Sequence, residues 1–222
     1  MAVNREDFTL EYVAEAVRRI REEGSFEPLS DEQRAETLAR ILAGVERGHD
    51  AWIFGYGSLM WNPMVHHREQ RDGMLYGYHR RYCFWSRSGR SSPQTPGLGL
   101  GLDRGGSCRG MAFCIPAREV EDEMELLWRR EMISGIYFPR WVNIHTAQGL
   151  VRAVTFVVDR SHLRYIGRLP PQKVARHIAR AEGWRGSART YLENTVAKLA
   201  EHGFKDPYLS RLHSLVLAES TR

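Results

Sequence analysis

The stretch WIFGYGSLMWNP, from Trp52 to Pro63, passes from an aromatic and β-branched run into glycines and polar residues without a single charge. Trp52, Ile53 and Phe54 suit a buried strand, and Gly55 and Gly57 free the backbone behind it for positive φ or for close approach by a ligand. The strand therefore delivers a loop of amides. The N–H groups of Tyr56, Gly57, Ser58 and Leu59 are candidate donors to an anion, or to an oxygen that gains charge in a reaction. A plain strand and turn accounts for the glycines as well. Two better-known loops fail on spacing. A dinucleotide fingerprint needs a third glycine where Met60 stands, and a nucleophile elbow needs glycines where Tyr56 and Met60 flank Ser58. Ser58 is expected to form hydrogen bonds rather than to act as a nucleophile.

On the N-terminal side, Phe8, Val13, Val17 and Ile20 recur at near-helical spacing between Asp7 and Glu22, ending near Gly24. Ser30 and Gln33 form a capping-box pattern that opens a second helix burying Leu38, Ile41, Leu42 and Val45. These helices, within residues 1–50, are expected to pack as an arm on a domain spanning 51–222; dimer contact is the alternative use. On the C-terminal side, Leu75 to Trp85 and Leu98 to Leu102 read as strands. Glycines at 97, 99 and 101 leave one face of the latter bare for another backbone or a ligand. Asp103 to Gly106 predicts a turn into a further strand from Arg109 to Ile115. Ser86 to Pro96, rich in Ser, Gly and Pro, reads as a mobile loop able to cover a site.

Pro116 opens a helix that runs to about Arg130, with acids in its front half and Arg129 and Arg130 at its end, as the helix dipole favours. Glu131 breaks that order. A carboxylate at a helix C-terminus faces the negative end of the dipole, so its pKa should rise, and such a violation is the kind found at functional sites. The alternative is a salt bridge to a neighbouring arginine. Phe138 to Thr146 and Leu150 to Val158 then form a hairpin, and three helices follow: Pro171 to Glu182, Ser187 to His202, and Asp206 to Ala218.

The totals narrow the function classes. With 222 residues, 42 % of them hydrophobic, the chain can bury a sizeable core. No apolar run approaches the ~18 residues of a membrane span, and the acidic start lacks a signal peptide's apolar segment, so a cytoplasmic protein is expected. Cys83, Cys108 and Cys114 have no C-x-x-C spacing, and the histidines, His66 and His67 included, have no H-E-x-x-H spacing; neither a disulfide framework nor a metal is expected. The formal charge of +5 raises the question of nucleic acid. Its arginines are scattered among acids, and apart from His79, Arg80, Arg81 and Tyr82 they form no basic stripe, so a site for a small anion explains the charge as well.

FGYGSLMWNP (Phe54 to Pro63), GYHRRY (Gly77 to Tyr82), PGLGLGL (Pro96 to Leu102) and RREMISGIY (Arg129 to Tyr137), in this order, resemble the ChaC-type γ-glutamylcyclotransferases from about residue 51 to the last helix. The N-terminal arm resembles that of bacterial members. The resemblance implies an α+β fold, a small mixed β-barrel with flanking helices, and an enzyme that cleaves glutathione to 5-oxoproline and cysteinylglycine. It implies that Tyr56, Gly57, Ser58 and Leu59 bind the γ-glutamyl group, that Glu131 is the catalytic acid and base, and that Tyr191 lies near the substrate. Ala188 and Thr190 depart from the Asn and Glu common in that segment.

That chemistry needs no protein nucleophile, because the substrate's own α-amine attacks its γ-carbonyl, and it needs no cofactor. Arg81 is a candidate partner for the glycine carboxylate of glutathione, with a structural ion pair as its alternative role. Rival readings are a cyclotransferase for other γ-glutamyl amines or amino acids, a non-catalytic γ-glutamyl or anion-binding module, and a weakly basic nucleic-acid binder. The sequence leaves the oligomeric state open.

Overall fold

The computed structural model describes residues 5–24 and 26–219. Positions 1–4, 25 and 220–222, which the expected arm and domain include, lie outside the described residues. Its centre is a closed barrel in the order β1-β3-β2-β4-β5. The strands are β1 (Ala51–Gly55), β2 (Glu69–Ser86), β3 (Gly97–Ile115), β4 (Tyr137–Thr146) and β5 (Gly149–Val158). Neighbours run antiparallel, and the barrel closes through a parallel contact of β1 with β5, at Trp52 opposite Ala153 and Ile53 opposite Val154. Closure removes the exposed edges that open sheets must otherwise protect. The sheet is mixed, as expected.

The turn expected at Asp103 to Gly106 is corrected: β3 runs through it as one 19-residue strand. Gly105 and Gly106 take positive φ, +98° and +70°, and the pairing slips between Tyr76 opposite Ser107 and Tyr78 opposite Arg104. The glycines make a bulge that bends a long hairpin instead of reversing it. Side chains, not another backbone, fill the bare face of Gly97, Gly99 and Gly101. A Cβ on Gly99 would lie 2.0 Å from the Phe84 ring, and one on Gly97 would lie 2.8 Å from Ala181 Cβ.

The helices are α1 (Leu10–Glu23), α2 (Asp31–Leu42), α3 (Ser58–Trp61), α4 (Val120–Glu131), α5 (Pro171–Arg180), α6 (Ala188–Glu201) and α7 (Pro207–Glu219). The first starts later than the apolar spacing predicts, because Arg5–Asp7 form a 3-10 turn and Thr9 is the cap, accepting the Tyr12 N–H at 3.1 Å. The capping box of Ser30 and Gln33 opens α2 as read from the sequence. Two features had no sequence signal strong enough to name: the single turn α3, and a two-stranded ribbon of β6 (Glu182–Gly183) and β7 (Gly186–Ser187).

Helix α4 buries Val120, Met124, Leu127 and Trp128 in the principal core, together with Ile53, Phe113, Phe156 and Leu192. Phe8, Val13 and Ile20 of the N-terminal segment are buried, and Ile133 packs with Val13 and Ile20. Cys83, Cys108 and Cys114 are free and buried. No helix among the described residues is long and apolar enough to cross a membrane.

Candidate active site

Strand β1 ends at Gly55, and Tyr56 and Gly57 carry the chain straight into α3. Positive φ is not what the glycines supply here, since Gly57 sits at φ −129°. The need is space. A Cβ on Gly57 would lie 2.6 Å from the Tyr191 hydroxyl, and one on Gly55 would lie 2.8 Å from Leu59 Cβ. Gly57 therefore lets α6, which carries Tyr191, close against the loop. There Ser58 N–H donates to Tyr191 Oη at 3.2 Å, and the Trp61 ring meets the Tyr191 ring edge-on at 5.8 Å.

Glu131 ends α4, and amphipathic packing of that helix delivers it to the same place. The arginine partner and the raised pKa read from the sequence are both present. Arg130 Nε lies 2.9 Å from Glu131 Oε1, while its Nη2 donates to Ser58 Oγ at 2.7 Å and its Nη1 to the Asn62 carbonyl at 2.6 Å. A continuous polar chain thus links Glu131, Arg130, Ser58 and Tyr191. Burial raises the Glu131 pKa above its ordinary value, with Arg130 opposing the shift. Burial likewise keeps Tyr56, Tyr137 and Tyr191 protonated, each also feeling the Glu131 charge. Tyr56 Oη donates to the Phe156 carbonyl at 3.0 Å and Tyr137 Oη to the Leu100 carbonyl at 2.9 Å.

Glu131, Ser58 and Tyr191 line one cavity of about 240 Å³ beside the barrel. Residues Ser88, Gly89 and Arg90 of the loop between β2 and β3 form part of its wall, as does Phe8. Of the four loop residues expected to bind substrate, Ser58 alone lines the cavity; Tyr56 and Leu59 are buried at the foot of the loop, where they support it, and Gly57 packs against Tyr191. Arg81 is a correction: it does not line the cavity. Along β2 the alternate residues Tyr82, Phe84 and Ser86 line it, so pleating turns Arg81 to the other side, where Nε donates to His79 Nε2 at 2.9 Å and the guanidinium stacks on Tyr208. The same alternation buries Arg80 and Tyr82, which removes the basic stripe considered for His79 to Tyr82.

The arginines that do line the cavity are Arg90, Arg130 and Arg185, with Glu131 as the one acid among its described residues. Sequence reading missed all three. Arg130 stood next to Glu131 and within a recognised motif; Arg90 and Arg185 lie in loops, where no periodicity points to a direction. His66, Glu119 and Glu123 also cluster closely. Arg5 donates to both oxygens of Glu123, at 2.5 and 2.7 Å, and the His66 backbone N–H donates a further bond to the same carboxylate, which makes this an ion-pair latch for the N-terminal segment.

The closed barrel with its flanking helices is the fold of γ-glutamylcyclotransferase structures. The fold is shared with a yeast γ-glutamyl cyclotransferase specific to glutathione, at a TM-score of 0.71 over 77 % of this chain and 96 % of that one, with 20 % identity. Residues 51–219 match the family model of ChaC-like proteins, and the chain belongs to that family. It is similar to the glutathione-specific γ-glutamylcyclotransferase of Escherichia coli, with 40 % identity covering 82 % of this chain and 80 % of that protein. It is also similar to the glutathione-specific γ-glutamylcyclotransferase 1 of Danio rerio, with 29 % identity over 75 % and 89 %.

Proposed function

We propose that the protein is a glutathione-specific γ-glutamylcyclotransferase, a lyase that turns glutathione into 5-oxoproline and cysteinylglycine. One observation carries the reading. Among the described residues the cavity sets one carboxylate, the partly buried Glu131, among three arginines, which complements a substrate with one ammonium and two carboxylates.

In this mechanism the Glu131 carboxylate takes a proton from the substrate's α-ammonium, and the freed amine attacks the γ-carbonyl to close a five-membered lactam. The C–N bond to cysteine then breaks as Glu131 gives its proton to the departing nitrogen, and the second proton, lost by the ring nitrogen as it becomes the lactam N–H, passes by the same carboxylate to the cysteine amine. A pKa raised by burial suits a group that must both accept and give. Holding the substrate folded so that its own amine reaches the carbonyl contributes the most, up to roughly 7–11 kcal/mol. Ser58, at the mouth of the Tyr56 to Leu59 turn, holds the glutamyl end together with Arg130. Tyr191 accepts the Ser58 N–H, so its own proton is available to the oxyanion of the tetrahedral intermediate.

The cyclisation is an acyl transfer from one nitrogen to another with no change of oxidation state, so it needs no redox partner. Residues 1–50 act as an arm on the catalytic domain, and a cytoplasmic setting fits three reduced cysteines. The test is to incubate pure protein with glutathione and, separately, with γ-glutamylalanine. 5-Oxoproline from glutathione, and little from γ-glutamylalanine, is the expected result; no product from glutathione defeats the proposal.

A further inference from the structure

Of the three cavity arginines, two have their donors engaged close to the polar chain described above. Arg130 serves Glu131, Ser58 and Asn62. Arg90 donates to the Ser187 carbonyl at 3.2 Å and stacks over Trp61 and Tyr191 at 5.8 and 5.4 Å. Arg185 differs. It sits in the turn of the β6–β7 ribbon, and its own N–H fixes that turn to the Gly89 carbonyl at 2.8 Å. Its guanidinium lies among three rings: Phe8 at 5.3 Å, Tyr12 at 5.1 Å and Trp184 at 4.7 Å. Buried Nε has no hydrogen-bond partner, and no carboxylate pairs with the side chain among the described residues.

A desolvated cation without an anion costs stability unless something supplies the missing charge. Aromatic faces compensate in part. They also hold the planar fork rigid, ready for a carboxylate in bidentate geometry. Burial lowers its pKa only to about 10, so the charge persists at neutral pH.

We infer that Arg185 binds the glycine carboxylate of glutathione, and that Phe8 and Tyr12 of the N-terminal segment hold its guanidinium in place. The inference rests on the cyclotransferase reading. That reading places the glutamyl end of the substrate at Glu131, Ser58 and Tyr191, and the second carboxylate then needs a cation on a wall that this chain does not use. Phe8 and Arg185 line that wall together. The N-terminal segment is thereby part of the specificity apparatus.

The test compares glutathione with its glycine carboxamide, which differs only in the terminal charge, using the full chain and following 5-oxoproline. The wild-type protein should show kcat/KM roughly 10- to 100-fold lower for the amide, chiefly through KM, as expected for one charge-assisted contact. Arg185→Met should lower kcat/KM for glutathione by a similar factor, leave the amide nearly unchanged, and so erase the discrimination; Arg185→Lys should restore part of it. Phe8→Leu, which keeps bulk but removes the ring, should narrow the discrimination roughly threefold or more, and serves if Arg185→Met does not fold. Equal losses on both substrates in Arg185→Met, or discrimination unaltered in both variants, would overturn the inference. Equal wild-type turnover of the two substrates would overturn it while sparing the cyclotransferase reading; no 5-oxoproline from either defeats that reading and this inference with it.

Discussion

Gly57→Ala tests the central contact of the site. The added methyl would lie 2.6 Å from Tyr191 Oη and 3.5 Å from Leu100 Cδ2. The first contact is about 0.8 Å short of ordinary van der Waals separation, which begins near 3.4 Å. Tyr191 cannot simply swing aside, because its ring is packed against Trp61 and its hydroxyl holds Ser58 N–H. The hydroxyl must leave that amide. Loss of the bond and the unpaired groups left behind cost about 1–3 kcal/mol, a fall in Tm of roughly 2–12 °C for a chain of this size. A displacement of that scale in positioning groups can cost about 100-fold in kcat/KM.

The assay is calorimetric melting with 5-oxoproline kinetics for four proteins: wild type, Gly57→Ala, Tyr191→Phe and the double variant. Tyr191→Phe removes the clashing atom, so Gly57→Ala should cost much less in that background, a coupling that the cycle isolates. Equal cost in both backgrounds, or wild-type melting and kinetics for Gly57→Ala, refutes the argument that this glycine exists to admit the tyrosine.

Glu131→Gln should keep the fold and substrate binding while lowering turnover by roughly 100-fold or more, as single-turnover kinetics would show; wild-type turnover would remove Glu131 from the mechanism. Its raised pKa predicts that kcat/KM falls on acidification with a midpoint above the ordinary carboxylate value near 4.5, a limb measurable between pH 4 and 8 and missing from the residual activity of Glu131→Gln. The same shift favours the neutral form in the folded state. Its contribution to stability is complete below the unfolded pKa and lost as pH rises through the folded one, so wild type should lose stability relative to Glu131→Gln across that window in paired melting curves. Arg5→Met should cost about 1–3 kcal/mol by stranding Glu123, which is 2 % exposed; adding Glu123→Gln should return part of that loss in denaturant titrations.

The parts of the fold that were legible in the sequence are those with a local cause. Ser30 and Gln33 cap a helix wherever they stand, and the alternation in β4 and β5 needs no distant partner to be read. Glu131 was legible because it contradicts its own helix. What escaped depends on contacts remote in sequence. The Asp-Arg-Gly-Gly run at 103–106 has the composition of a turn, yet its direction is decided by β2 and by Asp103, whose carboxylate accepts from Arg160 at 2.6 Å and from Tyr165 at 2.9 Å. Arg81 looked more available than Arg185 because it lies in a motif, and only the phase of the pleat shows that it points away.

The three cysteines acquire a meaning from the chemistry proposed around them. Substrate and product each carry a sulfhydryl, and a solution of such molecules, once partly oxidised, exchanges with any accessible protein thiolate. Here Cys83 is pushed up to about 12, and burial raises Cys108 and Cys114 as well. With exposures of 0 %, 4 % and 0 %, none offers an anion to attack. The barrel therefore spares the catalyst from mixed disulfides with the very compound it consumes, and its working life should not depend on the redox state of that pool.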